Sequence, residues 1–546
     1  MAVSEENEQQ TEQLETWSRF EIRPSVFFPS AAIIIGFVLT GVIFVDEFAR
    51  AFASAQDFVN TTLGWFYILA VSIFLIFVIF LALSPYGRIR LGPDDARPDF
   101  SYAGWFAMMF SAGMGIGLLF FSVAEPISHF AIDSPPATTA ELGTEGAARE
   151  AMNITFFHWG LHTWAIYIVV GLALCFFAYR KGLPLTMRSA FYPILGDRIR
   201  GPIGDAIDTL AIVGTLFGVA TSLGLGVVQL NSGLSYTVDI EPSRMVQLLL
   251  IAIITAVATV SVVLGLDKGI KRLSEANLTL SGLLVLFILI AGPTVFILRA
   301  LVENTGYYLQ NIIQTSMRTD MFTDPVWQGD WTLFYWGWWI SWSPFVGMFI
   351  ARVSRGRTVR EFITGVLLVP TVITFIFLTV FGQTALHMEL FGDGGVIGAT
   401  EESLDFALFA MLEELPLGLI TSVIAMIIIA GFFVTSSDSG SLVDDIHASG
   451  GNLNPRTPTR IFWAIAEGTV AGVLLMAGGE TGVEAFQQAS IITGVPIAIM
   501  LLLMCWAIFS AFRDDLAESR SRERAGSRAA PRSSQARSRT TDEDGY

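Results

Sequence analysis

The segment Tyr335-Trp-Gly-Trp-Trp-Ile-Ser-Trp-Ser-Pro344 places Trp338, Trp339 and Trp342 within about one helical turn. An earlier segment supplies Trp159, Trp164 and Tyr167, with Trp164 three residues before Tyr167. Indole and phenol faces attract a cation through the ring quadrupole, each face contributing roughly 0.5–2 kcal/mol. That attraction needs no hydrogen-bond donor on the ligand, so a box of such rings suits a permanently methylated ammonium group. Tryptophan also collects at membrane headgroups, and an interfacial aromatic belt is the alternative reading of the same residues.

A second kind of chemistry lies in Ser111-Ala-Gly-Met-Gly-Ile-Gly-Leu118, where Gly113, Gly115 and Gly117 alternate inside an apolar run. Glycines weaken a helix, and unwound backbone is tolerated at membrane depth only where it lines a cavity or is buried in protein. Close helix packing on small residues is the competing explanation. The amides of such a break, with its half-helix dipole, can receive a carboxylate. The stretch Phe432-Phe-Val-Thr-Ser-Ser-Asp-Ser-Gly-Ser441 offers hydroxyls at Thr435 and Ser436. These either bond back to their own helix or complete an all-oxygen shell for a small hard cation. His158 and His162 have the i, i+4 spacing of a zinc pair, but the glutamate of a zinc hydrolase motif is missing between them. No Gly-Lys dipeptide occurs, so a phosphate-binding loop is excluded and ATP-driven transport by this chain is not expected. Apart from a small hard cation, no cofactor or metal is expected.

These residues must be positioned by membrane helices. The 546 residues are 53% hydrophobic and only 15% charged, against about 25% charged in soluble domains. Apolar runs of about 20 residues, each able to cross a bilayer core, recur with centres near residues 36, 73, 114, 167, 220, 256, 289, 342, 371, 427, 469 and 498. Twelve spans put both termini on one side. Alternate loops carry seventeen arginines and lysines, among them Arg180, Lys181, Arg355 and Arg357, against five in the opposite loops. The positive-inside rule then predicts cytoplasmic termini in a multi-pass protein of the cell (inner) membrane. The acidic start, with Glu5, Glu6 and Glu8, is unlike a secretory signal. Cys175 and Cys505 lie inside apolar runs and imply no disulfide.

A net charge of −17 with only three lysines argues against nucleic acid as a partner. It fits either a surface facing concentrated salt or ordinary acidic loops. Leu309, Ile312, Ile313, Met317 and Met321 recur at helical spacing, which predicts an amphipathic surface helix whose stripe faces lipid or a neighbouring subunit. After Phe512 an Arg/Ser-rich tail is too poor in apolar residues to fold alone, and its arginines suit anionic lipid.

The motifs Gly113-Met-Gly-Ile-Gly117, Glu125-Pro126, Phe157-His-Trp159, the Trp-Gly-Trp-Trp-Ile-Ser-Trp core at 336–342, Arg355-Gly-Arg357-Thr and Thr435-Ser-Ser-Asp-Ser-Gly440 together resemble the betaine/carnitine/choline transporter family. The likeness runs from about Ser25 to Phe512. It implies an all-α polytopic fold of about twelve transmembrane helices, with leucine-transporter-like inverted five-helix repeats preceded by two peripheral helices. The expected parts are an acidic cytoplasmic tail over 1–24, the two peripheral helices and a loop over 25–100, and a first repeat over 101–302 (helices 3–7). The surface helix over 303–322, a second repeat over 323–512 (helices 8–12) and a disordered Arg-rich cytoplasmic tail over 513–546 complete the order. Family members commonly form trimers through the surface helix, and their basic tails can sense osmotic state.

By matching motifs the resemblance assigns the substrate to Trp159, Trp164, Tyr167, Trp338, Trp339 and Trp342, with Gly113, Met114 and Gly115 as the unwound segment. It assigns sodium, the coupling ion, to Ser111, Met114, Phe432, Thr435 and Ser436. A second sodium site maps to Thr215 and Phe345, but Val219 stands where another threonine is expected. Proton-coupled choline relatives often carry an aspartate where this chain has Gly117, which favours a zwitterion such as glycine betaine. Sodium-independent exchangers place an arginine on the fifth helix, and no basic residue occurs between Asp205 and Gly233. The implied function is sodium symport of a quaternary-ammonium compatible solute, by alternating access, for osmoprotection. Proton-coupled choline uptake and sodium-independent carnitine/betaine exchange are the alternatives within the family. A channel or receptor would need a continuous polar pore lining, and an enzyme would need convergent acid–base or nucleophilic groups; neither pattern is present in the sequence.

Overall fold

Inside hydrocarbon every backbone N–H and C=O must be paired within the protein, and a chain of long apolar runs does so most simply as helices. The computed structural model describes residues 21–113, 115–136, 138–264, 267–323, 325–478 and 483–529. Among these residues there is no strand, only an isolated bridge between Arg90 and Thr358. The longer helices are α1 (Pro24–Ile43), α2 (Val45–Phe58), α3 (Gly64–Leu83), α4 (Tyr102–Gly113), α5 (Ile116–Ile127), α6 (Glu145–Trp159), α7 (Leu161–Cys175) and α8 (Pro202–Val238). They continue as α9 (Arg244–Leu264), α10 (Asp267–Ala291), α11 (Thr294–Ser316), α12 (Phe334–Val353), α13 (Val359–Phe391), α14 (Gly418–Ala448), α15 (Thr457–Ala477) and α16 (Glu484–Ala529).

Ten helical stretches among the described residues are long and apolar enough to cross a membrane. The interrupted pair α4 and α5, and the tryptophan-rich α12, account for the third and eighth of the twelve expected spans. The protein is an all-α polytopic membrane protein. Of its spans α8 is the most enclosed, with 94% of its apolar window buried, whereas α10 has 17% buried and stands at the outside. α12 packs against α7, α8 and α16, so the tryptophan segment runs through the middle of the molecule.

Two local features set α12 in place. Pro344 lies within it rather than at its end, and the helix continues to Val353. The missing proline N–H leaves the Ile340 carbonyl without its helical partner, and Ser343 Oγ donates to that carbonyl at 2.7 Å instead. Gly337 lets α12 touch the backbone of α16: a Cβ there would stand 2.7 Å from Ser490 O and 2.8 Å from Ile491 Cα. The Arg355-Gly-Arg357-Thr motif closes the following turn. Arg357 stacks over Trp105 at 4.1 Å and Tyr102 at 4.3 Å. Thr358 and Glu361 form a reciprocal capping box that opens α13.

The structure departs from the sequence reading at three places. The residues after Phe512 are not wholly irregular, because α16 continues to Ala529. Asp515 accepts from Arg180 Nε at 2.8 Å and Lys181 Nζ at 3.0 Å, which ties the first turn after Phe512 to the end of the fourth span. Ion pairs supply here what apolar content did not. The tail beyond 529 lies outside the described residues. The helix expected over 303–322 begins earlier, at Thr294, and ends at Ser316, so Met317 and Met321 lie past it. Its exposed stripe holds Leu309 and Ile313, while Tyr308 and Asn304 face the protein. Finally, the fourth span is broken at Gly160, between α6 and α7.

Candidate aromatic and ion site

Gly160 is non-helical, at φ −98° and ψ −133°, and has no room for a side chain, since a Cβ would lie 2.5 Å from Phe156 O. The break it makes separates Trp159, at the end of α6, from Trp164 and Tyr167 on α7. Trp159 meets Trp339 edge-on with ring centroids 4.9 Å apart and lies 6.3 Å from Trp338. Trp338 and Trp339 stack at 4.5 Å, and each is 6.3 Å from Trp342. Tyr167 touches Trp339 at 6.5 Å, and Trp164 reaches the group only through Tyr167, at 5.7 Å. All six rings are buried. They form one connected aromatic cluster in the middle of the protein, not a belt around it. Trp164 Nε1, Tyr167 Oη and Trp342 Nε1 are buried there without a hydrogen-bond partner among the described residues.

The glycine-rich break abuts this cluster. α4 ends at Gly113 and α5 begins at Ile116, with Gly115 in a non-helical conformation at φ −146° and ψ −123°. A Cβ at Gly117 would run into the Trp338 indole and lie 3.2 Å from Trp159. Any side chain at position 117 therefore displaces a ring of the cluster. Gly115 faces α14, where a Cβ would stand 3.7 Å from the Phe432 ring. The break thus lies one turn from Thr435 and Ser436, both half-buried. Thr435 Oγ1 donates back to Gly431 O at 3.0 Å and Phe432 O at 3.2 Å, the local arrangement usual for hydroxyls in membrane helices. Met114 and the Ser111 side chain lie outside the described residues. Thr215 is buried on α8 with its hydroxyl unpartnered among the described residues. Phe345, on the packed helix α12, stacks on Trp342 at 5.7 Å.

Around the cluster is a polar network that the sequence reading did not assign. Glu125, wholly buried near the end of α5, accepts from Trp159 Nε1 at 2.8 Å and from Tyr335 Oη at 2.6 Å. Its other oxygen lies 2.6 Å from His158 Nδ1 and 3.6 Å from His129 Nε2. His158 Nε2 is 2.9 Å from Thr332 Oγ1. Three ligand-type atoms of Glu125, His129 and His158 thereby gather within 4.8 Å of one another. His162 takes no part, because its Nε2 is bonded to Ser316 Oγ at 2.8 Å. The i, i+4 histidine pair is thus divided between two environments. The available signal was the carboxylate itself: an acidic residue inside an apolar membrane run is a functional candidate by default.

An all-helical, multi-pass membrane protein with a helix interrupted beside a buried aromatic cluster has the make-up of a solute carrier. The model of the family described as BCCT, betaine/carnitine/choline family transporter, matches residues 25–517. The chain belongs to that family and is a transporter, not an enzyme. It is 49% identical over 498 residues to an uncharacterised transporter of Mycobacterium tuberculosis, covering 91% of this chain and 84% of the relative. It is 46% identical over 511 residues to the glycine betaine transporter OpuD of Bacillus subtilis, covering 93% of this chain and 98% of OpuD. A glycine betaine/proline/choline transporter of Vibrio parahaemolyticus is 44% identical over 508 residues, 91% of each chain.

Proposed function

We propose that this chain imports a quaternary-ammonium compatible solute, glycine betaine before others, by sodium symport and alternating access, in the service of osmoprotection. The connected cluster of Trp159, Trp338, Trp339 and Trp342 against Gly117 carries the reading. It offers cation–π faces to a trimethylammonium group. Support for a zwitterion comes from Gly117, since an acidic side chain there would collide with Trp338. The relatives named as glycine betaine transporters agree with that choice.

Sodium is assigned to the break between α4 and α5 together with α14, with Ser111, Met114, Phe432, Thr435 and Ser436 as its surroundings. Gly115 packing on Phe432 supports that pairing. The unpartnered hydroxyl of Thr215 supports a second ion between α8 and α12, beside Phe345. Alternating access would move the two inverted repeats, helices 3–7 and 8–12, against each other. Cytoplasmic termini, trimer formation through the exposed stripe of α11, and contact of the basic tail with anionic lipid belong to the same proposal.

The test is uptake of labelled glycine betaine into proteoliposomes under a sodium gradient, a proton gradient or neither, with choline, carnitine and ectoine as competitors. Sodium-driven accumulation blocked best by unlabelled betaine is the expected result. Accumulation driven by protons alone, or exchange without a gradient, overturns the coupling. No uptake of any of the four overturns the substrate class.

A further inference from the structure

We propose that Glu125 is the fixed counter-charge of the aromatic cluster, a specificity-determining residue that favours a cationic head group over an uncharged group of the same shape. The inference rests on the cluster being the ammonium site proposed above. Trp159, Tyr335 and His158 bond to the carboxylate, and His129 stands 3.6 Å from it. Indole N–H only donates, so Oε2 is an acceptor toward Trp159 at 2.8 Å, and the Tyr335 hydroxyl donates to the same oxygen at 2.6 Å. His158 Nδ1 lies 2.6 Å from Oε1 and its Nε2 2.9 Å from the Thr332 hydroxyl. The indole and the phenol both donate to the carboxylate, and neither needs the carboxyl to hold a proton.

No arginine or lysine is bonded to Glu125 among the described residues, where its only ion-pair neighbours are the two histidines. His129 Nδ1 lies 3.1 Å from the carbonyl of Asp133, which can only accept, so that nitrogen carries the hydrogen. Its Nε2 faces Glu125 at 3.6 Å, without a hydrogen-bond partner among the described residues. The result is a buried carboxylate, without an arginine or lysine partner among the described residues, bonded directly to Trp159, whose ring is 4.9 Å from Trp339. In a site shielded from water such a charge acts over several ångströms. Donation of Trp159 N–H and Tyr335 O–H to a carboxylate also raises electron density on those rings, which strengthens their attraction for a cation.

The discriminating ligand pair is glycine betaine and 3,3-dimethylbutanoate, its isostere with carbon in place of the ammonium nitrogen. Binding of labelled betaine to the purified full-length protein in sodium is measured, with the isostere as competitor, for wild type, E125Q and Y335F. Glutamine keeps an oxygen for Trp159 but removes the charge. E125Q is expected to lower the preference for betaine over the isostere about tenfold, the factor that 1.4 kcal/mol represents. Y335F removes one donor and keeps the charge, so its preference ratio stays near wild type whatever happens to overall affinity. If E125Q weakens both ligands equally, Glu125 only props the rings and the proposal is overturned. Should E125Q not fold, E125D draws the charge back by one methylene and must lower the same ratio; an unchanged ratio in E125D overturns it. Wild type that binds no betaine overturns the substrate reading, and this inference with it.

Discussion

Trp339 occupies the centre of the aromatic cluster, touching Trp159, Trp338, Trp342 and Tyr167. Replacing it by alanine removes a cation–π face worth about 0.5–2 kcal/mol, so the KM for betaine uptake in W339A is expected to rise about 2- to 30-fold. An unchanged KM would remove the cluster from substrate binding. Thr435 is the corresponding test of the ion. Its hydroxyl already bonds within its own helix, and a threonine hydroxyl retains a lone pair for a cation while it donates. T435A is expected to raise the sodium concentration for half-maximal uptake about tenfold, as loss of one oxygen ligand worth 1.4 kcal/mol would. Sodium dependence identical to wild type would leave Thr435 with its backbone bonds alone.

At the scale of elements, the site depends on helices that stop or touch where an uninterrupted, bulky helix could not. The break between α4 and α5 brings Gly115 against Phe432, and the break at Gly160 turns Trp159 toward α12. Contact between α12 and α16 depends on Gly337. G337A would force a methyl group within 3 Å of Ser490 O and Ile491, and strain of this kind costs about 1–3 kcal/mol. We expect a lowered melting temperature in detergent and reduced betaine affinity, because α12 carries three rings of the cluster. A melting temperature equal to wild type would show that the two helices separate without penalty.

Across the whole molecule, the turn of α16 after Phe512 is fastened to two of the loops rich in basic residues. Asp515 joins Arg180 and Lys181, while Arg180 also reaches Asp94 at 2.8 Å. D515N weakens bonds to charged partners worth about 1.5–3 kcal/mol, so thermal stability should fall while substrate selectivity is retained. Truncation after Phe512 removes this anchor along with the tail and would confuse folding with sensing. Truncation after Ala529 keeps the anchor and removes three arginines, Arg532, Arg537 and Arg539. If the end of the chain senses osmotic state, that variant should lose activation by osmolality; uptake that still rises with osmolality as in wild type would confine any sensor to residues before 530.

Much of this was legible in the sequence. Apolar length and alternating charge gave twelve spans because a bilayer imposes one helix length and one charge rule on every segment. Tryptophan spacing in Tyr335–Pro344 and the alternating glycines at 113–117 marked the aromatic cluster and the helix break beside it, since few other demands would place such residues at membrane depth. The sequence also determined which residues bear charge, but not what they meet. Glu125 and Tyr335 are 210 residues apart, and no local periodicity announces a hydrogen bond over that separation. Likewise Gly160 could be one more small residue in an apolar run until the packing of α6 and α7 showed a break. The residues after Phe512 read as too polar to fold because their partners, Arg180 and Lys181, lie more than 330 residues earlier. Helix lengths and polarity are local properties and can be read one segment at a time. The closure of rings around Glu125, the contact of Gly117 with Trp338 and the anchoring of Asp515 are pairings between distant segments, and only the tertiary structure decided them.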